Sequence, residues 1–423
     1  MIATDLDPAE DSDPIVRGAI GVGAPRVGSA DSPRLLREIN DQVVLGLLLD
    51  RGPMTRGRIG EATGLSKPTV SSLLTRLEER GLVATTGVVA GGPGPNARIY
   101  AVDPSAGHVI GVHVEQGGSV AALANLTGDV IATCSVDVPV RRTSSPVTEV
   151  GDAVDGVLSA AGLGRSAVRR VLIATPGVID PVTGTLRHAR HLHGWEAPGL
   201  VEQLSAELGT AVRHGNDVNL AAVAEGRYGV AKGRTDYALL WLDRGVGLGL
   251  VMDGRLRSGA HGGAGEIGYL PVPGVARPRV DRGGAGAFQQ LVGGQGLRIM
   301  ARRHGLRGVE PAALVAAARA AGARGDAFID ELADGIAHGA AGVTTIVDPG
   351  LLVLGGPVAL AGGPVLLDRV IAAMRQLSFV RPQVVLSTVT TDGVLRGAVE
   401  VALQSVRSQL FGRPALLPGG LPI

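Results

Sequence analysis

The strongest constraint on the fold is a change in sequence pattern close to the dipeptide Asp103-Pro104. Before it, helical patterns end near residue 80 and two short strand-like segments follow. From Gly107 onward, apolar strand-like segments alternate with helical stretches, which is typical of α/β proteins. The pattern predicts a small head at residues 34–104 and a larger α/β body at residues 105–411, and a length of 423 residues suits this division.

Both ends of the chain lack such patterns. Residues 1–33 are rich in Asp, Pro, Gly and Ser and are expected to form a disordered tail, and residues 412–423 a loose C-terminal tail. The first residues are acidic and have no apolar run, unlike a secretory signal peptide. The apolar stretch 349–367 approaches the length of a membrane span, but its paired glycines and prolines favour two buried strand-turn units. We therefore expect a soluble, cytoplasmic protein without membrane contact.

Residues 55–83 have the pattern of a helix-turn-helix unit. Thr55 is placed to cap a short helix that buries Ile59 and Ala62, and a glycine permits the turn that follows. Ser66 is a favourable N-cap for the second helix. The second helix has apolar residues at the i, i+3, i+4 and i+7 positions of one face, namely Val70, Leu73, Leu74 and Leu77.

The opposite face of the second helix is small, polar and basic. Its members are Ser66, Lys67, Thr69, Ser71, Ser72, Thr75 and Arg76. This face suits a helix lying in a DNA major groove, with its N-terminal residues near base edges or phosphates. The Gly-rich segment 87–96, followed by Arg98, resembles a wing that contacts the DNA backbone or minor groove. A helical hairpin without DNA contact is the alternative for the helix pair taken alone.

Composition excludes several kinds of site. Cys134 is the single cysteine, so a disulfide framework and any metal site with several cysteine ligands are ruled out. The formal net charge is only +1, so any DNA-binding basic patch must be local. The spacing of His188, His191 and His193 is compatible with metal binding, but we expect neither a metal nor a cofactor.

Several separated segments resemble the repressor/ORF/kinase (ROK) family. They are the head with Asn40 and residues 55–83, then IATPGVIDPVTG (173–184), HGWEAPGLVEQL (193–204), GNDVNLAAVAEGRYG (215–229), DRGVGLGLVMDGRLRSGAHGGAGEIGYLPV (243–272) and DPGLLVLGGPVAL (348–360). The resemblance implies a winged helix-turn-helix head on an actin-like, sugar-kinase-like body of two RNase H-like domains. The cleft that binds a sugar in the kinases is expected near residues 215–270. One departure is Gly94-Pro95-Asn96, where ROK regulators commonly have Gly-Arg-Pro in the wing.

The kinase chemistry implied by the resemblance is incomplete in this chain. At the first phosphate turn, His113 replaces the family Asp and Glu115 replaces a Gly, and a carboxylate there would repel a polyphosphate. At the second turn, Arg244 stands where the kinases usually have Thr; it is interpreted either as a phosphate contact or as a surface residue. The family zinc site is also absent, because Tyr269 replaces its His and the three downstream cysteines are missing.

The resemblance assigns the sugar pocket to Asn216, Asp217 and Glu266, with Gly177, His191 and Tyr269 nearby. Carboxylates and amides suit a sugar because each hydroxyl both donates and accepts hydrogen bonds. In the kinases the residue matching Asp217 is the general base. The alternative is that Asn216-Asp217 only caps the following helix, although capping and ligand contact are compatible. Three positions depart from the family, namely Tyr269 for a His, Gln289 for a Glu and His191 near a usual Asn, and they leave open a changed or absent sugar ligand.

Three functions remain open at this point. The first is a ligand-responsive repressor that binds a double-stranded DNA operator and a sugar effector as a homodimer or homotetramer, with activation rather than repression left open by the sequence. The second is a sugar kinase with an appended DNA-binding head, and His113 and Glu115 argue against it. The third is a constitutive DNA-binding protein whose body only oligomerises.

Overall fold

A computed structural model describes residues 32–89, 97–138, 145–189, 191–275, 284–390 and 392–411, without the side chains of residues 32–35 and 411. The expected tail at 1–33 lies outside these residues except for its last two positions, which belong to a helix that begins at Ser32. The expected C-terminal tail at 412–423 and the wing tip at 90–96 lie outside the described residues.

The head is a helix-turn-helix with a small antiparallel sheet. Its elements are α1 (Ser32–Arg51), β1 (Met54–Thr55), α2 (Arg56–Thr63), α3 (Lys67–Glu79), β2 (Val83–Val89) and β3 (Ala97–Val102). Gly64 ends α2 with a φ of +71°, a conformation that glycine adopts without strain. Ile59 is fully buried as expected, but Ala62 is exposed, because the short α2 turns only one narrow face to the core. The short strand β1, which pairs with β3, was not expected.

The first lobe of the body contains a mixed five-stranded sheet in the order β10-β7-β4-β5-β6. Its elements are β4 (His108–Glu115), β5 (Gly118–Asn125), β6 (Val130–Asp137), α4 (Pro146–Ala161), β7 (Val168–Thr175), β8 (Val178–Ile179), β9 (Leu186–Arg187), α5 (Leu200–Leu208) and β10 (Ala211–Asn216), with 3₁₀ turns at Pro104–Ala106 and Arg165–Ala167. The first three strands form an antiparallel meander, while β4, β7 and β10 run parallel.

The second lobe repeats this topology in the order β13-β12-β11-β14-β15. Its elements are α6 (Asp217–Tyr228), β11 (Tyr237–Leu242), β12 (Val246–Met252), β13 (Arg255–Leu256), a 3₁₀ turn (Ile267–Tyr269), α7 (Ala287–Val292), α8 (Gly294–Arg303), α9 (Pro311–Arg319), α10 (Ala323–Val347), β14 (Leu351–Gly355), α11 (Gly356–Leu377), β15 (Gln383–Leu386) and α12 (Gly393–Phe411). The repeated strand order confirms the expected body of two RNase H-like domains.

Helices α6 and α12 lie between the two sheets and contact each other closely. A Cβ at Gly397 of α12 would lie 1.9 Å from the carbonyl oxygen of Leu220 in α6. A Cβ at Gly249 of β12 would lie 2.5 Å from the Cβ of Ala222, so α6 is equally close to the second sheet. Contacts this short require glycine, because a methyl group occupies the space of the neighbouring atoms.

One expected feature of the second lobe is wrong. The apolar stretch 349–367 forms a strand, β14, but its remainder is the first part of helix α11 rather than a second strand-turn unit. Gly363, with a φ of +57°, and Pro364 kink this helix without ending it. Among the described residues, α11 is the one helix long and apolar enough for a membrane span; it packs on α9, α10 and strands of the second sheet.

Candidate functional site

The N-terminal half of α3 presents an exposed polar surface on the head. The Oγ of Ser66 caps the helix by accepting the amide of Thr69 at 3.4 Å, and lies 2.8 Å from the Oγ1 of Thr69. Lys67, Ser72 and Thr75 are also exposed, because the apolar face of α3 is buried in the head. These predicted DNA-contact residues therefore share one solvent-facing surface.

Two further arginines border this surface. The Oγ of Ser71, which is partly buried, accepts a hydrogen bond from Nη1 of Arg56 at 2.8 Å. Arg56 and Arg58 lie in the first turn of α2 and are exposed. They were missed in the sequence analysis, although two arginines directly after a cap residue place positive charge at the start of a helix. Arg98 is exposed on β3.

The structure gives Arg76 a different partner from the one expected. Its guanidinium binds the carboxylate of Asp41 in α1, with Nε 3.3 Å from Oδ2 and a second bond from Nη2 to Oδ1. Asp41 is only 6% exposed, and a buried carboxylate needs a cationic partner. We therefore assign Arg76 to the packing of α3 on α1 and remove it from the proposed DNA contacts.

Asn216, Asp217 and Gly177 form one hydrogen-bonded group where β10 meets α6. The Oδ1 of Asn216 caps α6 by accepting the amide of Asn219 at 2.9 Å. Its Nδ2 donates to the carbonyl of Gly177 at 3.0 Å and to Oδ1 of Asp217 at 3.1 Å. Asn216 therefore caps α6 as expected, and its side chain also holds the Asp217 carboxylate at the end of β10.

Two acidic groups lie near Asp217, and a pair of rings lies near one of them. Burial raises the pKa of Asp217 to about 6, and the negative charges of Glu266 and Glu115 contribute to this rise. Burial also raises the pKa of Glu266, and the nearby charge of His188 opposes that rise. The ring of Tyr269 meets the ring of His188 edge-on, with 6.4 Å between centroids. These contacts bring residues from three predicted segments to one place, and their carboxylates and amide are suited to sugar hydroxyls.

His191 is the predicted pocket residue that stands apart. It is exposed on the loop before α5, and no hydrogen bond joins it to Asn216 or Glu266 within the described residues. Across the part of the chain that the structure describes, no group of three or more His, Cys, Asp or Glu side chains has the arrangement of a metal site.

The first predicted phosphate turn lies between β4 and β5. Glu115 at its start is exposed, with its Oε1 3.5 Å from Nε2 of His113. Burial lowers the pKa of His113, against the opposing charges of Glu115 and Asp392, so that histidine gives little positive charge at neutral pH. The charge of Glu115 also contributes to a raised pKa at Asp243, for which burial is the main cause. The negative charge of Glu115 therefore acts on the opposite lobe.

The second predicted phosphate turn, between β11 and β12, is occupied by protein groups. The guanidinium of Arg244 binds the carboxylate of Glu310, with Nη2 3.0 Å from Oε1 and 2.9 Å from Oε2. Gln289 spans the turn, accepting the amide of Val246 at 2.8 Å and donating to the carbonyl of Arg244 at 2.8 Å. Gln289 thus holds the turn and engages the Val246 amide, while Arg244 makes an exposed ion pair with Glu310.

Comparison with known proteins gives the chain its family. Residues 110–405 match the ROK family, and residues 43–92 match the MarR family. The DNA-binding transcriptional dual regulator NagC of Escherichia coli (strain K12) is 26% identical over 59% of this chain, and the match spans 61% of NagC. The xylose repressor of Caldicellulosiruptor bescii is 23% identical over 82% of this chain and 90% of its own.

Solved structures share the same fold. A ROK family transcriptional regulator described as a homolog of the E. coli MLC protein superposes with a TM-score of 0.71 at 19% identity, covering 89% of this chain and 98% of its own. A ROK hexokinase from Thermus thermophilus has a TM-score of 0.60 at 24% identity and covers 71% of this chain and 99% of its own. Regulators and kinases thus share this architecture. With the family match spanning most of the body and a MarR-type winged helix preceding it, the chain belongs to the ROK family.

Proposed function

We propose that this protein is a cytoplasmic DNA-binding transcriptional regulator, a repressor whose affinity for its operator is controlled by a sugar or sugar derivative. The observation that carries this proposal is the exposed, N-capped α3 with Lys67 in its first turn, on a body that keeps Asn216, Asp217 and Glu266 together. Relatives described as NagC and as a xylose repressor are consistent with this function. The direct test is selection of a duplex from a randomised pool, followed by titration with a sugar panel.

The proposed DNA contacts are the N-terminal surface of α3 and the basic groups that border it. They are Ser66, Lys67, Thr69, Ser71, Ser72, Thr75, Arg98, Arg56 and Arg58. A homodimer or homotetramer would present these surfaces in symmetric pairs, and the operator is then expected to have two half-sites about one helical turn apart or a multiple of it.

Replacing Lys67 with alanine is expected to weaken DNA binding. If Lys67 binds a phosphate, the variant binds all DNA sequences more weakly to the same extent, and the slope of log K against log salt concentration falls by about 1. If Lys67 binds a base, only the selected site loses binding free energy, by about 1–3 kcal/mol. Fluorescence anisotropy at several salt concentrations measures both. Lys232→Ala, at the only other lysine of the chain and exposed in the body, is the matched control. An unchanged affinity and salt slope in Lys67→Ala would contradict the assignment.

The sugar pocket is proposed at Asn216, Asp217 and Glu266, with Gly177 and Tyr269 beside them. The Oδ1 of Asn216 and the carboxylate of Asp217 supply acceptors that are already oriented by hydrogen bonds within the protein, which reduces the entropy lost on binding. His191 stays a predicted pocket residue on the ground that it follows His188, whose charge acts on Glu266, by three positions in the chain.

We also propose that the body has no kinase activity. Purified protein mixed with ATP, magnesium and a panel of hexoses is expected to show no sugar-dependent phosphoryl transfer, because Glu115 repels the nucleotide and the turn at Arg244 is bound to Glu310 and Gln289. A ROK kinase with the same fold serves as the positive control. Turnover in the ordinary range of about 1–100 per second would establish the alternative, a sugar kinase with a DNA-binding head.

A further inference from the structure

Helix α12 begins beside the proposed ligand cleft. Asp392, the residue before α12, is close enough to His113 for its charge to act on that side chain, and His113 lies in the strand that ends at Glu115. Further along, a Cβ at Gly111 of β4 would lie 3.0 Å from the backbone nitrogen of Val399. The first half of α12 therefore lies against the first sheet with almost no space between the backbones.

The same part of α12 contacts the helix that carries the pocket residues. Asp217 is in the first turn of α6, and Gly397 of α12 touches the backbone of α6 at Leu220. On its other side α6 packs on β12 of the second lobe, where a Cβ at Gly247 would lie 2.7 Å from Val218. A change in the angle between the lobes must therefore shift α6 against α12, because closely packed backbones slide as rigid bodies rather than deform.

The other end of α12 contacts the DNA-binding head. Arg80, which ends α3, donates from Nη2 to the carbonyl of Leu410 at 3.1 Å, in the last turn of α12. Its Nη1 also lies 3.4 Å from Oδ2 of Asp41, so one guanidinium joins α3, α1 and α12. A cation at a helix C-terminus binds unpaired carbonyls and is stabilised by the helix dipole.

Arg407 holds this end of α12 to the body, and the segment that it binds is joined to the connection between head and body. The guanidinium of Arg407 donates twice to the carbonyl of Leu126, at 3.1 and 2.9 Å. The amide of Leu126 in turn bonds the carbonyl of Pro104 in the segment that connects head and body. The buried apolar core is continuous from α1 and α3 of the head to α6 and α12.

From these contacts we propose that α12 transmits the state of the cleft to the DNA-binding head, and that Arg80 is the positioning residue that receives it. The inference rests on the proposed function, since it concerns how ligand and DNA affect each other. Arg80 adjusts the orientation of α3 without being assigned a DNA contact. Because coupling between two sites is reciprocal, DNA bound to the head must also alter α6 and α12.

The test measures that reciprocal effect and needs no identified sugar. A duplex selected from a randomised pool is added to the full-length protein, and amide hydrogen exchange is followed in α6 and in the first half of α12. In the wild type, exchange there is expected to slow at least threefold on DNA binding. In Arg80→Ala the slowing in α6 and α12 is expected to disappear, while exchange in α3 still slows. Arg80→Lys keeps a cation at the end of α12 and is expected to restore part of the slowing in α6 and α12.

Arg319→Ala is the matched control, because Nη1 of Arg319 makes the same kind of exposed bond to a backbone carbonyl, that of Ala361 at 3.2 Å, in the second lobe. It is expected to behave as the wild type. If a sugar from the panel changes DNA affinity, its effect is expected to fall to less than twofold in Arg80→Ala. Wild-type slowing confined to the head, or an unchanged response in Arg80→Ala, would overturn the inference while leaving DNA binding intact. Absence of any bound duplex would overturn the proposed function and this inference with it.

Discussion

Replacing Asp217 with asparagine is expected to make the protein more stable at pH 7 while weakening its binding of sugar. Burial raises the pKa of Asp217 from 3.8 to about 6, so the ionised carboxylate is unfavourable in the folded protein. A difference of that size corresponds to about 3 kcal/mol, and loss of a negative charge at the start of α6 offsets about 0.3–1 kcal/mol of it. The net expected gain in the free energy of unfolding is about 2 kcal/mol. Asparagine keeps the oxygen that accepts the Val218 amide.

The pH dependence identifies the cause of this gain. A raised pKa in the folded state stabilises the protein below the unfolded value of 3.8, and this contribution is lost as pH rises through about 6. The advantage of Asp217→Asn is therefore expected near pH 7 and to vanish near pH 4. His214, whose pKa burial lowers to about 4, makes stability fall over the same range as pH decreases, but it does so equally in both proteins. Denaturant unfolding at both pH values gives the difference directly.

The same variant tests the pocket. A hydrogen bond to a charged group contributes about 1.5–3 kcal/mol, so any sugar that stabilises the wild type in a thermal-shift panel is expected to bind Asp217→Asn about 10–100-fold more weakly. Glu266→Gln is also expected to bind the sugar more weakly than the wild type, but by a smaller factor than Asp217→Asn. If the panel contains a ligand and both variants respond to it as the wild type does, the sugar lies elsewhere. A gain in stability that persists at pH 4 would refute the electrostatic explanation.

Replacing Gly397 with alanine is expected to destabilise the protein by about 2 kcal/mol. In an isolated helix this change is favourable by up to about 1 kcal/mol, because alanine is the better helix former. Here the new Cβ would lie 1.9 Å from the carbonyl oxygen of Leu220, a backbone atom that cannot move away without separating α6 from α12. Overpacking of a rigid contact costs about 1–3 kcal/mol, occasionally more.

Gly151→Ala is the matched control for this prediction. Gly151 lies within α4, and a Cβ at that position meets nothing within 4 Å. The same substitution there is expected to leave stability unchanged or raise it by about 0.5–1 kcal/mol. Chemical denaturation followed by circular dichroism compares the two variants. Equal stability of Gly397→Ala and the wild type would show that α6 and α12 separate easily, which would also weaken the proposed coupling through α12.

Features encoded by neighbouring residues were predictable from the sequence. The apolar face of α3 is buried as expected, and Thr55 and Ser66 cap α2 and α3 as expected, because apolar periodicity and caps depend on residues a few positions apart. Helix α11 was not predicted, since a glycine-proline pair kinks a helix or ends it depending on its packing. The family resemblance, rather than any local pattern, indicated that Gly177, Asn216 and Glu266 lie near one another.

Ion pairs and hydrogen bonds between distant residues were decided only by the tertiary structure. The sequence shows Arg76, Arg244 and Arg80 as basic residues on a helix face, in a turn and at a helix end. It does not show that these arginines bind, in the same order, the carboxylates of Asp41 and Glu310 and the backbone carbonyl of Leu410. The physical reason is that a charge is recognisable from its residue type, whereas its partner depends on which distant segments the folded chain brings within about 3–4 Å. The two-part organisation and the types of polar group at each site were therefore predictable from residue types and local patterns. The tertiary structure decided which of those groups are engaged within the protein and which face solvent, where a ligand or DNA can reach them.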